Sequence, residues 1–196
     1  IMLSVGYPIR TIRQLVHDRL AVSPQPGDGP QQAAEHERQQ AKGLDGLGLG
    51  LMDAVVLMEE AGRTLASGPI AETLVSARLL ALYGGDEANS ILADVISGDA
   101  IVTLAFHDAA TTPLQWVAGG AIAHAVIARS GDEVVLVSIP SSARVCEPNL
   151  ASTPIAELDL SVHPRTVLGC GAQALEAFAR GVEEWKLLIS AALAGL

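Results

Sequence analysis

A chain of 196 residues with 49% apolar and only 17% charged side chains is globular rather than disordered, and it can bury one substantial core or two small ones. Its net charge of −10 argues against nucleic acid, whose phosphates need clustered Lys and Arg. Aromatics make up 3%, so the core has to be built from Ala, Leu, Val and Ile.

In chain order, the segment IRTIRQLVHDRL at 9–20 places Ile9, Ile12, Leu15, Val16 and Leu20 on one face and predicts an amphipathic helix. Residues 22–42 carry three prolines, two glycines and a Gln/Glu/Ala tract. They read as a surface linker, with 31–42 open to a short helix. From residue 51 the helical period returns through Leu51, Val55, Met58 and Leu65, with Glu59 and Arg63 at i, i+4 facing water. Ser67-Gly68-Pro69 is expected to stop that helix. A second apolar helix follows over about 70–83 and ends at Gly84-Gly85. Asp86 can cap a third, over 87–96, closed by Gly98. Three helices on short connections predict an antiparallel helical layer.

After Gly98 the period changes from about 3.6 to 2, and the architecture is expected to break there. AIVTLAF, LQWVAGG, HAVIARSGDEVVLVSI and IAELDLSV are short, β-branched and punctuated by turn residues. Ser130-Gly131-Asp132 reads as a hairpin turn. A small antiparallel sheet or barrel is therefore expected at about 99–168. The uncharged run 109–128 is about membrane length, but Thr111-Thr112-Pro113, Gln115 and Gly119-Gly120 interrupt it, and a pair of buried strands explains it better than a span. From about 174 a helical stripe of Leu175, Phe178, Val182, Trp185, Ile189 and Leu193 runs toward the last residue. It has no evident partner helix left in the chain, so it is expected to be an oligomer or domain contact.

The alternating GLGLGL stretch before Met52 is not a phosphate loop of the Walker type, because no lysine follows its glycines. A dinucleotide fingerprint would need a preceding strand, and what precedes is proline-rich and polar. Cys146 and Cys170 cannot build a disulfide framework and lack metal-ligand spacing, so no metal site is expected. With no basic-then-apolar leader in view, the reading is cytoplasmic.

Four stretches carry a resemblance to a known family: GLGLGLMDAVVLMEEAGRTLASGPIAETL, ILADVISGDAIVTLAFHD, WVAGGAIAHAVIAR and VLGCGAQALEAFARGVEEWKLLISAALAGL. Covering most of 43–196 in the same order, they resemble the acyl-CoA dehydrogenases. The resemblance implies an α+β chain with an N-terminal helical domain at 1–98, a middle β domain at 99–172, and the first helix of a C-terminal helical bundle at 173–196. It assigns the glycine stretch to the loop before a core helix. It also implies FAD-dependent oxidation of an acyl-CoA to the 2,3-enoyl-CoA, in which a carboxylate removes a proton and the flavin takes a hydride. The partners so implied are the acyl-CoA substrate and acyl-CoA dehydrogenase-like chains in a homo- or hetero-oligomer, with no nucleic acid and no membrane.

The flavin-flanking segments of the family resemble TLAFHD and QWVAGG, which makes Phe106, His107, Asp108, Trp116, Val117 and Ala118 the candidate cofactor-binding residues. Where the family has Thr-Glu-Pro and a Gly-Ser loop, this chain has His107-Asp108 and then AATTP. Val117 stands at a hydroxyl position, with Trp116 one place off. The family's catalytic glutamate lies in the C-terminal helical domain, so the base is expected outside these residues and no catalytic residue is assigned within them. The alternative is a non-catalytic subunit that completes a hetero-oligomer.

His107 and Asp108 are flavin-edge donors or simply polar residues at a strand end. Glu59 and Glu60 point about 100° apart on a helix and suit a solvated face. His124 suits a satisfied or exposed histidine better than a ligand, Cys170 an inert loop thiol, and Trp185 core packing.

Overall fold

The structure is a computed structural model that describes residues 50–151 and 153–196. The helix expected over 9–20, the linker over 22–42 and the glycine–leucine alternation up to residue 49 lie outside these residues. Chain order is α1 (Leu51–Arg63), α2 (Ile70–Tyr83), α3 (Asp86–Ser97), β1 (Val102–Leu104), β2 (Leu114–Val117), β3 (Ala125–Ser130), β4 (Glu133–Ser138), a 3-10 turn (Ser141–Ala143), β5 (Ala156–Asp159), β6 (Arg165–Cys170) and α4 (Gly171–Gly195).

α1 begins where the Asp53 carboxylate accepts the Gly50 N–H at 2.8 Å, satisfying one otherwise orphaned donor. It stops earlier than Ser67-Gly68-Pro69 suggested, at Arg63 with Thr64 as the cap. The reason is a Schellman closure. The Leu65 N–H donates to Gly62 O and the Ala66 N–H to Ala61 O, which puts Leu65 in the left-handed region at φ 52°. Gly68-Pro69 instead leads into α2. α3 closes as expected, with Gly98 in the left-handed conformation at φ 88°.

The strands form a four-stranded sheet, β1-β3-β4-β6, and a two-stranded ribbon, β2-β5. The expected all-antiparallel sheet is corrected in one place, because β1 runs parallel to β3 with Val102 opposite Ala125. A parallel pair needs a long crossover. The excursion over 105–124 supplies it by passing through β2 in the other sheet. β6 carries an extra residue at Leu168, between the Val134–Gly169 and Val135–Val167 pairs, and it was not foreseen as a strand of its own.

β3 and β4 are buried on both faces. Ala125, Ile127, Val134 and Leu136 pack under the helices with Leu80, Leu92, Phe178 and Leu188. Their neighbours Val126, Ala128, Val135 and Val137 pack with Val117, Ala156 and Leu158 of the ribbon. Period-2 alternation therefore feeds two cores from one hairpin.

α2 and α4 run antiparallel, joined by three polar rungs. Trp185 Nε1 donates to Glu72 Oε1 at 2.9 Å, Arg78 pairs with Glu184 at 2.9 Å, and the Tyr83 hydroxyl donates to Ala174 O at 2.7 Å. Burial pushes the Tyr83 phenol up to about 12, so it remains a donor. α4 also lies against α1 so closely that a Cβ on Gly62 would collide with the Ala192 carbonyl, and one on Gly195 with the Glu59 carbonyl. The expectation that the α4 stripe lacks a partner is thus corrected. Phe178 of the stripe is buried, Leu175, Val182, Trp185 and Ile189 pack on the helical core, and Leu188, outside the expected stripe, is wholly buried beside them. Of the stripe, Leu193 faces out, 64% exposed. The partners were earlier helices, remote in sequence.

Two outcomes follow from these local geometries. Leu65→Gly should raise stability by about 1 kcal/mol, because it relieves a left-handed residue whose side chain is 75% exposed; a higher denaturation midpoint at unchanged m checks it. His124 supplies the second. Its Nδ1 accepts the Ile101 N–H at 3.1 Å, and burial, then the nearby Arg144 charge, hold its pKa below the ordinary 6.5. The unfolded chain therefore binds the proton more readily, and stability is lost as pH falls below 6.5 toward the folded value. His124→Asn keeps an acceptor without titrating, so its unfolding midpoint should drop less than the wild type's between pH 7.5 and 5.5.

Candidate functional site

The two segments singled out by sequence converge at the edge between helices and sheet. β1 leads into 105–108 and β2 spans 114–117, and two contacts bind them together. The Thr103 hydroxyl donates to Ala118 O at 2.6 Å, and the Gln115 side chain clamps the backbone of His107. Gln115 is 3% exposed. Its Oε1 accepts the His107 N–H at 3.2 Å, while Nε2 donates to His107 O at 3.3 Å and to Thr112 O at 2.9 Å. A buried amide is stable only when so paired. Gly119 follows at φ 74°, and a Cβ there would come within 2.6 Å of Pro69 at the start of α2.

The six candidate residues divide. Phe106 is 37% exposed and its ring packs on Trp185 with centroids 4.4 Å apart at 46°. The aromatic pair ties the β1 exit to α4. The His107 side chain is exposed, although its backbone N–H is already committed to Gln115. Trp116 is 54% exposed, because β2 alternates outward Leu114 and Trp116 with inward Gln115 and Val117. It lies opposite Glu157 of β5.

Asp108, Val117 and Ala118 have structural contacts. The Asp108 carboxylate accepts the Gly131 N–H at 2.9 Å and the Ala110 N–H at 3.0 Å, and it pairs with Arg129 at 3.3 Å. The Gly131 bond is the main reason its pKa lies below the usual carboxylate value. Val117 is 1% exposed and belongs to the second core, and the Ala118 carbonyl is taken by Thr103.

Other singled-out residues read blandly. Glu59 and Glu60 pair with Arg63 at 3.0 and 3.3 Å on the surface. Cys146 and Cys170 are exposed thiols. Among the described residues no group of His, Cys, Asp and Glu could hold a metal ion, and no helix is long and apolar enough to cross a membrane. Sequence reasoning missed Gln115 and Glu72. Gln115 looked like a polar break in an apolar run, and Glu72 like an ordinary first-turn acid. Only the inward phase of β2 marks Gln115 as buried.

In shape the chain is similar to a solved structure described as the Tcur3481-Tcur3483 steroid ACAD G363A variant, ACAD standing for acyl-CoA dehydrogenase. The TM-score is 0.57 over 82% of this chain and 51% of that one, at 22% sequence identity. The fold is therefore that of an acyl-CoA dehydrogenase chain, as the sequence resemblance implied, and this chain spans about half of that chain's length. No protein-family model matches the chain, and no curated protein matches it by sequence.

The Gln115 clamp generates a test of the site's architecture. Gln115→Leu keeps the volume but strips partners from His107 and Thr112, and should cost about 2 kcal/mol of stability. Faster amide exchange at His107 would mark the loss as local.

Proposed function

We propose that this chain supplies the N-terminal helical and middle β portions, divided near residues 98 and 172, of an FAD-dependent acyl-CoA dehydrogenase. The observation that carries the reading is the pair of part-exposed aromatic rings, Phe106 and Trp116, on two segments clamped side by side at the edge of the sheet. Exposed rings of that size suit a planar ligand. Phe106 and Trp116 would flank a flavin ring, and the exposed His107 imidazole would offer the polar contact. Asp108 holds the loop beneath them, while Val117 and Ala118 contribute shape alone. The chemistry an FAD supplies when bound is acceptance of a hydride equivalent from an acyl thioester. A steroid-bearing thioester is the substrate class favoured by the similar structure's description.

The residues of this chain orient and shield rather than move the substrate's proton. Glu59 and Glu60 are tied to Arg63 at the surface, and Glu72 is tied to Trp185. The base is proposed to lie outside these residues, in a further segment or a partner chain, in an assembly working in the cytoplasm.

One observation favours a second reading. The His107 N–H is spent on Gln115, and Val117 turns inward without a hydroxyl, so the polar edge of a flavin meets few donors here. On that reading the chain is a non-catalytic subunit that completes a hetero-oligomer.

The polypeptide 1–196 alone, supplied with FAD, should bind the flavin weakly and show no turnover. Loss of a positioned base costs about 10²–10⁴-fold. Acyl-CoA-dependent bleaching of an artificial electron acceptor, with short, long and steroid-tailed thioesters, measures this. Robust turnover would place the base inside the chain and overturn the assignment. A colourless protein that gains activity only with a longer acyl-CoA dehydrogenase-like chain would favour the second reading.

A further inference from the structure

Glu72 is 6% exposed, in a helix whose other buried residues include Val75, Leu79 and Leu80. A buried carboxylate is costly unless it is paired, and its partner here is the neutral indole N–H of Trp185 at 2.9 Å. Its place in the first turn of α2 makes the charge tolerable, because the helix N-terminus presents partial positive charge. One turn on, Ser76 is wholly buried with no hydrogen-bond partner among the described residues. An apolar side chain at 72 would avoid burying a charge but would leave the indole N–H without its acceptor, so the reason for the polar choice lies in what the indole does.

Trp185 carries the hydrogen bond on its nitrogen and Phe106 on its ring, and Phe106 is the residue that opens the candidate flavin edge. We propose that Glu72 is a positioning residue: by its hydrogen bond it fixes the Trp185 indole against which Phe106 packs, and so sets the aromatic wall of that edge. The proposal deepens the flavin reading and rests on it. A side-chain oxygen at this position, of a carboxylate or of an amide, can accept the indole N–H, whereas an apolar side chain cannot. An indole held at both its nitrogen and its ring has few rotamers left, which is the condition for a precise ligand wall.

The chain has two tryptophans, so in a Trp116→Phe background emission reports Trp185 alone. Glu72→Leu in that background should shift the emission to the red and weaken the near-ultraviolet circular dichroism, whereas Glu72→Gln, which retains an acceptor, should preserve both. With Trp116 kept, FAD affinity by titration of flavin fluorescence should fall about tenfold in Glu72→Leu, the low end of what losing a supporting partner costs a ligand site. It should stay near wild type in Glu72→Gln. Phe106→Leu should weaken FAD while leaving Glu72 and the indole N–H paired.

If Glu72→Leu leaves the emission and the FAD affinity unchanged, the proposal is wrong; it is equally wrong if Glu72→Gln behaves like Glu72→Leu. Should the leucine variant fail to fold, Glu72→Asp, which withdraws the acceptor by one methylene, carries the same comparison. If the unsubstituted chain binds no FAD, the flavin reading falls, while the emission arm still decides whether Glu72 holds Trp185.

Discussion

With apolar side chains on both faces, the β3–β4 hairpin joins the helical core to the β core, and its pairing is the constraint on which the other elements rely. A hairpin with one polar face has its register policed by the cost of turning apolar groups into water. Here both faces are apolar, so a slip would exchange one buried set for another and polarity alone would not forbid it. The ends do. Arg129, Ser130 and Glu133 confine the polar residues to the turn, and Asp108 accepts the Gly131 N–H while pairing with Arg129. A carboxylate from the loop after β1 thereby pins the turn between β3 and β4.

That arrangement explains why the segment after β1 lies where it does. Asp108 is drawn toward the hairpin turn, Gln115 closes on the His107 backbone, and Thr103 reaches Ala118. The loop 105–113 is thus held at His107, Asp108 and Thr112, and β1 is tied beside the end of β2. Trp116 faces outward through the phase of β2, and Phe106, beyond the end of β1, is left part-exposed against Trp185 of α4. On the helical side, α4 folds back along α2 through Glu72, Arg78 and Tyr83, and it approaches α1 at Gly62 and Gly195, where the absence of side chains allows backbones to touch. Trp185 is where the two sides meet.

Much of the fold was legible in order and kind. The helix starting at 51, those over about 70–83 and 87–96, the change of period after Gly98, and the strands around 102, 115, 127, 135 and 157 follow from apolar spacing and turn residues, which act over a few positions. The acyl-CoA dehydrogenase architecture was legible from the order of those segments. Of the six candidate site residues, Phe106, His107 and Trp116 are exposed at the converged edge, whereas Asp108, Val117 and Ala118 carry structural contacts.

What sequence alone determined is periodicity: which residues form helices, which form strands, and where one pattern yields to the other. What only the tertiary structure decided is partnership. The α4 stripe found α1 and α2, remote in sequence, β1 joined β3 in parallel because the chain detoured through a second sheet, and Glu72 met an indole instead of water. Local propensity acts through neighbours a turn or a pleat away. These pairings depend on which surfaces remain uncovered once every element is packed, a quantity that no short window of sequence contains.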